Sequence, residues 1–359
     1  MITAASLLLA TFAAAYGLTW VVRHYAVVRE ILDVPNARSS HSVPTPRGGG
    51  LAITAALVAG TAVAALLGLI PGRTGLVLAG GSAVIAALGW IDDHVSLRVA
   101  VRIPVQALVA VGSVAVLGGM PSLRWGGGAV ELGLFGSAIA VVGVLWSTNL
   151  YNFMDGVDGI AGVQGISMGA LGALFLLYAG AGDLALMAGL LAAATAGFLP
   201  WNWQPAKIFM GDVGSAMLGY ALAVLALASE NANAVPLIAW AGLYGVFAVD
   251  ATVTVLRRGI RGQRVSEAHR QHAYQRLTQA GWSHAKVSSA VLAMNLLLGA
   301  VLFGGVAVAR FLPAALGIAL LIPSAAYVLV ERSRPMDAAA AAATAEVTPS
   351  RSRKPAARA

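Results

Sequence analysis

Four polar residues recur at three-residue intervals in "WSTNLYNFMDGVDGIAG", residues 146–162: Asn149, Asn152, Asp155 and Asp158. Three helical residues turn 300°, so neighbouring members of such a series lie about 60° apart on one face. Amides and carboxylates then gather at the rim of a membrane-sized apolar segment, where ionisable groups are costly and commonly functional. Gly156 and Gly159 loosen the backbone where they gather. "GWIDD" adds the adjacent acids Asp92 and Asp93, which repel unless a cation or a proton relieves them. "PAKIFMGDVGS" sets Phe209 and Asp212 among glycines, with Asn202 shortly upstream. Asp212 there is either a helix N-cap or part of a ligand site.

Two further stretches carry basic chemistry. "SEAHRQHAYQRL" holds His269 and His272 at i and i+3, able to meet one anion or metal from a single helical face. With no third ligand nearby, zinc is poorly supported, and phosphate contact beside Arg270 fits better. "DVPNARSSHSVPTPRGGG" carries Arg38, His41 and Arg47 on a proline-set path ending in Gly48, Gly49 and Gly50. It is either a glycine-rich helix start or a loop whose N–H groups and arginine face a phosphate. It is not a Walker A loop, because no lysine follows a glycine.

The elements that must position these residues are helices in a membrane. The 359 residues are 58% hydrophobic and only 11% charged, with a mean hydropathy of +0.80, whereas a soluble domain is about a quarter charged. This composition predicts an all-α polytopic transmembrane bundle. A span takes roughly 20 apolar residues, and about 11 segments qualify, from 2–22 through 50–70 and 234–256 to 311–330. When these spans alternate, all of the 23 Lys and Arg except Arg73, Arg124 and Arg310 fall on one side. That asymmetry sets the N-terminus outside and the C-terminus in the cytoplasm. Residues 1–332 then form one transmembrane domain with a cytoplasmic-face site, and 333–359 a disordered basic tail. Asp250 falls in the inner half of a span and needs a partner. The Gly-rich segment 120–134 carries little chemistry. The absence of cysteine excludes disulfides and thiol catalysis. The net charge of +8 lies in loops and tail, where membrane topology and anionic lipid explain it, so nucleic acid is not a partner.

Asp92, Asp93, Asp155, Asp158 and Asp212 all fall on the inner side. Five clustered carboxylates require a counter-ion, and oxygen-only ligands favour Mg²⁺, with Mn²⁺ as a substitute.

Taken together, "NLYNFMDGVDGIAG", "GWIDD", "PAKIFMGDVGS" and the histidine loop resemble the polyprenyl-phosphate N-acetylhexosamine-1-phosphate transferases, over about residues 1–330. The resemblance implies transfer of a sugar-1-phosphate from a UDP-N-acetylhexosamine to undecaprenyl phosphate, releasing UMP, at the bacterial inner membrane. It implies that Asp212 holds Mg²⁺ and that Asp92 and Asp93 adjoin the acceptor phosphate. Asn152, Asp155 and Asn202 line the nucleotide site, with Asp158 beside them and Asn149 counted among the substrate-binding residues. Phe209 stacks on uracil, and His269 and His272 contact the diphosphate. The muramyl-pentapeptide branch carries a lysine and "TPTMGG" in the first inner loop and consecutive histidines in the last. Here the text is "PTPRGGG" and "HRQH", which favours the O-antigen-like surface-glycan branch and raises the question of whether Arg47 replaces that lysine. The acceptor phosphate is mostly ionised at pH 7, so Asp92 or Asp93 matters as much for orientation as for proton removal. A double displacement through an aspartate is the alternative route. The rival from another class, a transporter or lipid flippase, would carry its ionisable groups mid-span. The sugar is not decoded, and a homodimer is compatible with the sequence.

Overall fold

The computed structural model describes residues 2–35, 43–264 and 269–336. Arg38 and His41 therefore lie outside the described residues. Helices follow one another as α1 (Ile2–Val28), α2 (Gly50–Leu66), α3 (Gly72–Val95), α4 (Val99–Leu117), α5 (Gly133–Phe153), α6 (Ile160–Tyr178) and α7 (Gly182–Asn202). They continue as α8 (Asp212–Asn231), α9 (Leu237–Leu243), α10 (Gly245–Ile260), α11 (Ala273–Gln279), α12 (His284–Ala307) and α13 (Leu312–Ser333).

Among the described residues, nine helices are long and apolar enough to cross a membrane, α2 is a shorter apolar helix, and α9 with α10 makes one bent pair. A helix apolar on every side is stable only deep in a bundle or against lipid, and both cases occur. The apolar window of α8 is 89% buried and that of α1 is 17% buried, so α8 is the axis of the bundle and α1 lies at its edge. Helices α2, α3, α4, α5, α6, α7 and α9 all contact α8. Where hydrocarbon surrounds the bundle, small residues bring helices together. A Cβ on Gly50 would stand 2.2 Å from Gly214 Cα, and one on Gly89 would stand 2.4 Å from the Asp212 carbonyl oxygen. Glycine is therefore required where α2 and α3 cross the start of α8.

The segment 234–256, expected as one span, is instead α9 and α10 bent by 75°. The break falls at Tyr244–Gly245. Without a side chain, Gly245 lets α10 approach α13, where a Cβ would stand 2.8 Å from the Ala319 carbonyl oxygen. The Tyr244 hydroxyl is held 3.0 Å from Ser147 Oγ of α5. Glycine at a packed crossing is a recognised cause of a kink.

Two short hairpins complete the structure. In the first, β1 (Leu32–Asp33) pairs antiparallel with β2 (Thr45–Pro46). In the second, β3 (Ser122–Trp125) pairs with β4 (Gly128–Glu131). The second fills the Gly-rich segment 120–134. The backbone N–H of Arg124 donates to buried Glu230 at 2.7 Å, and the Arg124 Nε lies 3.4 Å from the same oxygen, which fixes the hairpin to the end of α8. The expected tail boundary also moves. Helix α13 runs to Ser333, and buried Met336 donates its N–H to Glu331 at 3.3 Å. The remainder of 333–359 lies outside the described residues.

Candidate active site

The acids converge where α3 ends and α8 begins. The N-terminus of α8 is set by Gly211, whose φ of +75° suits glycine. The first N–H groups of a helix have no partner within it. Here Asp93 of α3 serves them: Asp212 N donates to Asp93 Oδ1 at 3.0 Å and Val213 N to Oδ2 at 3.3 Å. The cap of α8 is thus supplied by another helix, where a carboxylate also complements the helix dipole. Asp212 makes no capping bond of its own, which corrects the N-cap reading and leaves its carboxylate facing the site.

Arg47 joins the two acids. Its Nη2 lies 2.8 Å from Asp93 Oδ1 and donates to Asp212 Oδ1 at 3.0 Å. Burial opposes its charge, but Asp93, Asp212, Asp33 and Asp155 outweigh that and raise its pKa above the usual arginine value. A second arginine, Arg102 of α4, donates to Asp92 Oδ2 at 2.5 Å and lies 3.7 Å from Asp212 Oδ2. Asp92 also accepts from Leu97 N at 2.6 Å. Asn152 and Asp92 both act on the Asp212 carboxyl. Arg102 is the residue sequence reading missed. The signal available was its place ten residues beyond Asp92, as a counter-ion for acids that needed one.

The path of Arg47 is fixed by backbone pairing. Arg47 N donates to Ile31 O beside the β1–β2 ladder, and Phe209 N donates to Pro46 O at 2.8 Å. Gly49 N and Gly50 N then donate to Phe209 O and Met210 O, each at 2.9 Å. Of the two readings of the glycine triplet, this favours the helix start for Gly49 and Gly50, whose N–H groups are already occupied by carbonyls of the facing segment. Phe209 itself is half-buried on that segment.

The series from Asn149 to Asp158 does not share one helical face. Helix α5 ends at Phe153, so Asp155 and Asp158 stand in the connection to α6. Asn152 reaches the acid cluster, and Asp155 lies in its field. Asn149 instead donates to Gln106 Oε1 of α4 at 2.8 Å. Asp158 accepts from Ala206 N at 3.1 Å and lies 3.2 Å from His284 Nδ1, so it ties three segments together. Asn202 has a similar role: its Oδ1 accepts from Gly159 N at 2.9 Å and its Nδ2 donates to Ile208 O at 3.1 Å.

The histidines precede α11 rather than sharing a helical face, because His272 is extended, with φ −59° and ψ 149°. Their rings still lie 4.8 Å apart. His272 is buried, with Nδ1 3.3 Å from Asp250 Oδ1, and Asp250 also accepts from Ala273 N and Tyr274 N. This is the partner Asp250 required. Burial, then His272 and Arg258, lowers the His269 pKa to about 3, so its imidazole is neutral at pH 7. The Tyr274 hydroxyl donates to Phe153 O at 3.2 Å and bears on Gly156, which binds the histidine segment to the 154–159 connection.

Burial pushes the Asp155 carboxyl up to about 7; Arg47 opposes the shift, and Asp212, Asp93 and Asp158 add to it. An unfolded aspartate titrates near 3.9. The folded protein therefore keeps this proton to higher pH than the unfolded chain, and the associated stability is lost as pH rises from about 4 through about 7. Asp155→Asn is expected to raise the melting temperature at pH 8 in EDTA and leave it unchanged at pH 4, measured by thermal denaturation in detergent.

Among the described residues, no three His, Asp or Glu side chains form a ready-made metal cage. What the cluster offers is an all-oxygen edge at Asp212 flanked by two arginines.

The family model for glycosyl transferase family 4 matches residues 75–230, from α3 through α8. A probable undecaprenyl-phosphate N-acetylglucosaminyl 1-phosphate transferase of Bacillus subtilis is 30% identical over 275 residues, covering 74% of this chain and 75% of the relative. A decaprenyl-phosphate N-acetylglucosaminephosphotransferase of Mycobacterium tuberculosis is 30% identical over 331 residues, covering 83% and 80%. A phospho-N-acetylmuramoyl-pentapeptide-transferase of Rubrobacter xylanophilus is 33% identical over a shorter 265 residues, covering 68% and 77%. The likeness spans most of the bundle, and the family's own match falls on the helices that bring Asp92, Asp93 and Asp212 together, so this chain belongs to glycosyl transferase family 4.

Proposed function

We propose that this protein transfers an N-acetylhexosamine-1-phosphate from a UDP-sugar to undecaprenyl phosphate, releasing UMP, at the cytoplasmic face of a bacterial inner membrane. The product would begin a lipid-linked surface glycan of the O-antigen type. The observation that carries this reading is the meeting of Asp92, Asp93 and Asp212 with Arg47 and Arg102 at one end of the bundle. The longer match to the mycobacterial N-acetylglucosaminephosphotransferase, 331 residues against 265, supports it over the muramoyl-pentapeptide reading.

Phosphoryl transfer depends mainly on positioning and charge neutralisation. Arg47 and Arg102 supply fork-shaped donors suited to phosphate oxygens. Asp93 is committed to the start of α8 and Arg47, so it positions Asp212 rather than moving a proton. Asp155, titrating near neutrality, is suited to take the acceptor's remaining proton. Asn152 and Phe209 would contact the nucleotide, and neutral His269 would donate an N–H to the diphosphate. His272 and Asn202 would act behind them, holding their segments in place.

Mg²⁺ fits this donor set. Asp92 and Asp212 lie 2.5 and 3.7 Å from the same Arg102 Nη1, so the two carboxylates face one region that favours positive charge. Mg²⁺ is commonly held by one or two carboxylates plus phosphate oxygens and needs no three-acid cage. Asp212 would hold it, with Asp92 and Asn152 adjacent, and Mn²⁺ could substitute. When bound, the ion would neutralise charge on the diphosphate and the leaving UMP.

The test is turnover by the purified protein, with UDP-GlcNAc, other UDP-N-acetylhexosamines and the muramyl-pentapeptide nucleotide each offered with undecaprenyl phosphate. UMP and a sugar-diphosphate lipid are expected only when both substrates are present. Binding of either without turnover would favour the transporter or flippase, and turnover of the pentapeptide nucleotide alone would favour the other branch.

A further inference from the structure

The cleft between α10 and α13 takes no part in the site above. It has a volume of about 380 Å³, and its walls include Val249, Val253 and Arg257 of α10 and Val328, Glu331 and Arg332 of α13. The three α10 residues are spaced four apart, so they form one stripe running from apolar to cationic. Glu331 serves two arginines: Arg257 Nη1 lies 2.7 Å from its Oε2, and Arg276 Nη1 of α11 lies 2.5 Å from the same oxygen. Arg332 is exposed and makes no ion pair among the described residues. Arg276 is fully buried, yet its Nε and Nη2 have no acceptor among the described residues. Its guanidinium stands 5.1 Å over the Tyr327 ring, which walls the cleft. Two guanidiniums thus share one carboxylate while a third, that of Arg332, stands beside them without one, and buried donors without acceptors are costly.

We propose that this cleft binds one anionic phospholipid. Its phosphate lies beside Arg257 and Arg332 and supplies the negative charge that Glu331 alone cannot, while an acyl chain follows Val249, Val253 and Val328. The apolar stripe distinguishes a lipid from a free phosphate ion, which would gain nothing from it. The site is coupled to the histidine segment through α11. Arg276 anchors α11 to Glu331, and α11 begins next to His272, which is paired with Asp250 of α10. A bound lipid therefore braces the segment that carries both histidines.

The test uses the full-length protein in mild detergent, mixed with phosphatidylglycerol or phosphatidylcholine and read by native mass spectrometry. One retained phosphatidylglycerol is expected on the wild type and none of the zwitterionic lipid. Each basic residue near an anionic lipid strengthens attachment roughly five-fold, so Arg332→Gln and Arg257→Gln should each lower retention by about that factor. Arg332 is exposed and has no ion pair among the described residues, so its variant should keep the wild-type melting temperature and report on lipid alone. Equal retention of the two lipids, unchanged retention in Arg332→Gln, or displacement of the lipid by inorganic phosphate overturns the proposal.

Discussion

Arg47→Ala is expected to lower UMP release by about 10²–10³-fold, the usual scale for losing one preorganised donor to a developing charge. The same change should cost about 3 kcal/mol of stability, because removing one partner of a buried ion pair leaves the other uncompensated. The lower end of the usual span of about 3–5 kcal/mol applies because the Arg47 side chain is 33% exposed, against 4% for Asp93. Arg47 is the cation that lets Asp93 and Asp212 sit 2.8 and 3.0 Å from a single nitrogen. Arg47→Lys should recover most of the stability but little turnover, since an ammonium offers a point charge rather than a fork. Added Mg²⁺ should restore part of the melting temperature in Arg47→Ala without restoring the rate. Melting curves and initial rates with and without Mg²⁺ separate these effects.

Gly50→Ala is expected to prevent normal accumulation of folded protein. A Cβ there would stand 2.2 Å from Gly214 Cα and 2.3 Å from Gly214 N. Neither atom can rotate away, so α2 and α8 would have to separate. Overpacking in a core typically costs about 1–3 kcal/mol, and a clash confined to backbone should reach the upper end. Arg47 lies three residues before Gly50, and Asp212 two before Gly214, so any folded fraction should also turn over slowly. Gly112→Ala on α4 is the control. Nothing lies within 4 Å of its added Cβ, and a helical Gly→Ala exchange stabilises by up to about 1 kcal/mol. Size-exclusion profiles and melting temperatures of the two variants should diverge.

Apolar length and composition carried most of the helical architecture into view, because in lipid each span must satisfy its own backbone. Each of the eleven apolar segments has its helix or helix pair. The bend at Tyr244–Gly245 was not legible, because it depends on how closely α10 approaches α13. Of the site, the acids and Arg47 were legible as residues that apolar surroundings do not tolerate without a reason. Their division of labour was not. Asp93 caps a helix 119 positions away, and Asn149 and Asp158 turn to Gln106 and His284 instead of the acid cluster. A three-residue spacing reports a shared face only while the helix continues, and α5 stops at Phe153. The glycine triplet was read in two ways, and backbone pairing with Phe209 and Met210 decides for the helix start.

The most direct measurement is Mg²⁺-dependent UMP release from UDP-GlcNAc and undecaprenyl phosphate by purified Asp212→Asn protein. Asparagine keeps the size and removes the charge, and the α8 start keeps its cap from Asp93. The protein should therefore fold and melt near the wild-type temperature while UMP release falls below detection at every Mg²⁺ concentration. Wild-type turnover by this variant, with an unchanged Mg²⁺ requirement, would contradict the assignment of the acid and arginine cluster as the transfer site.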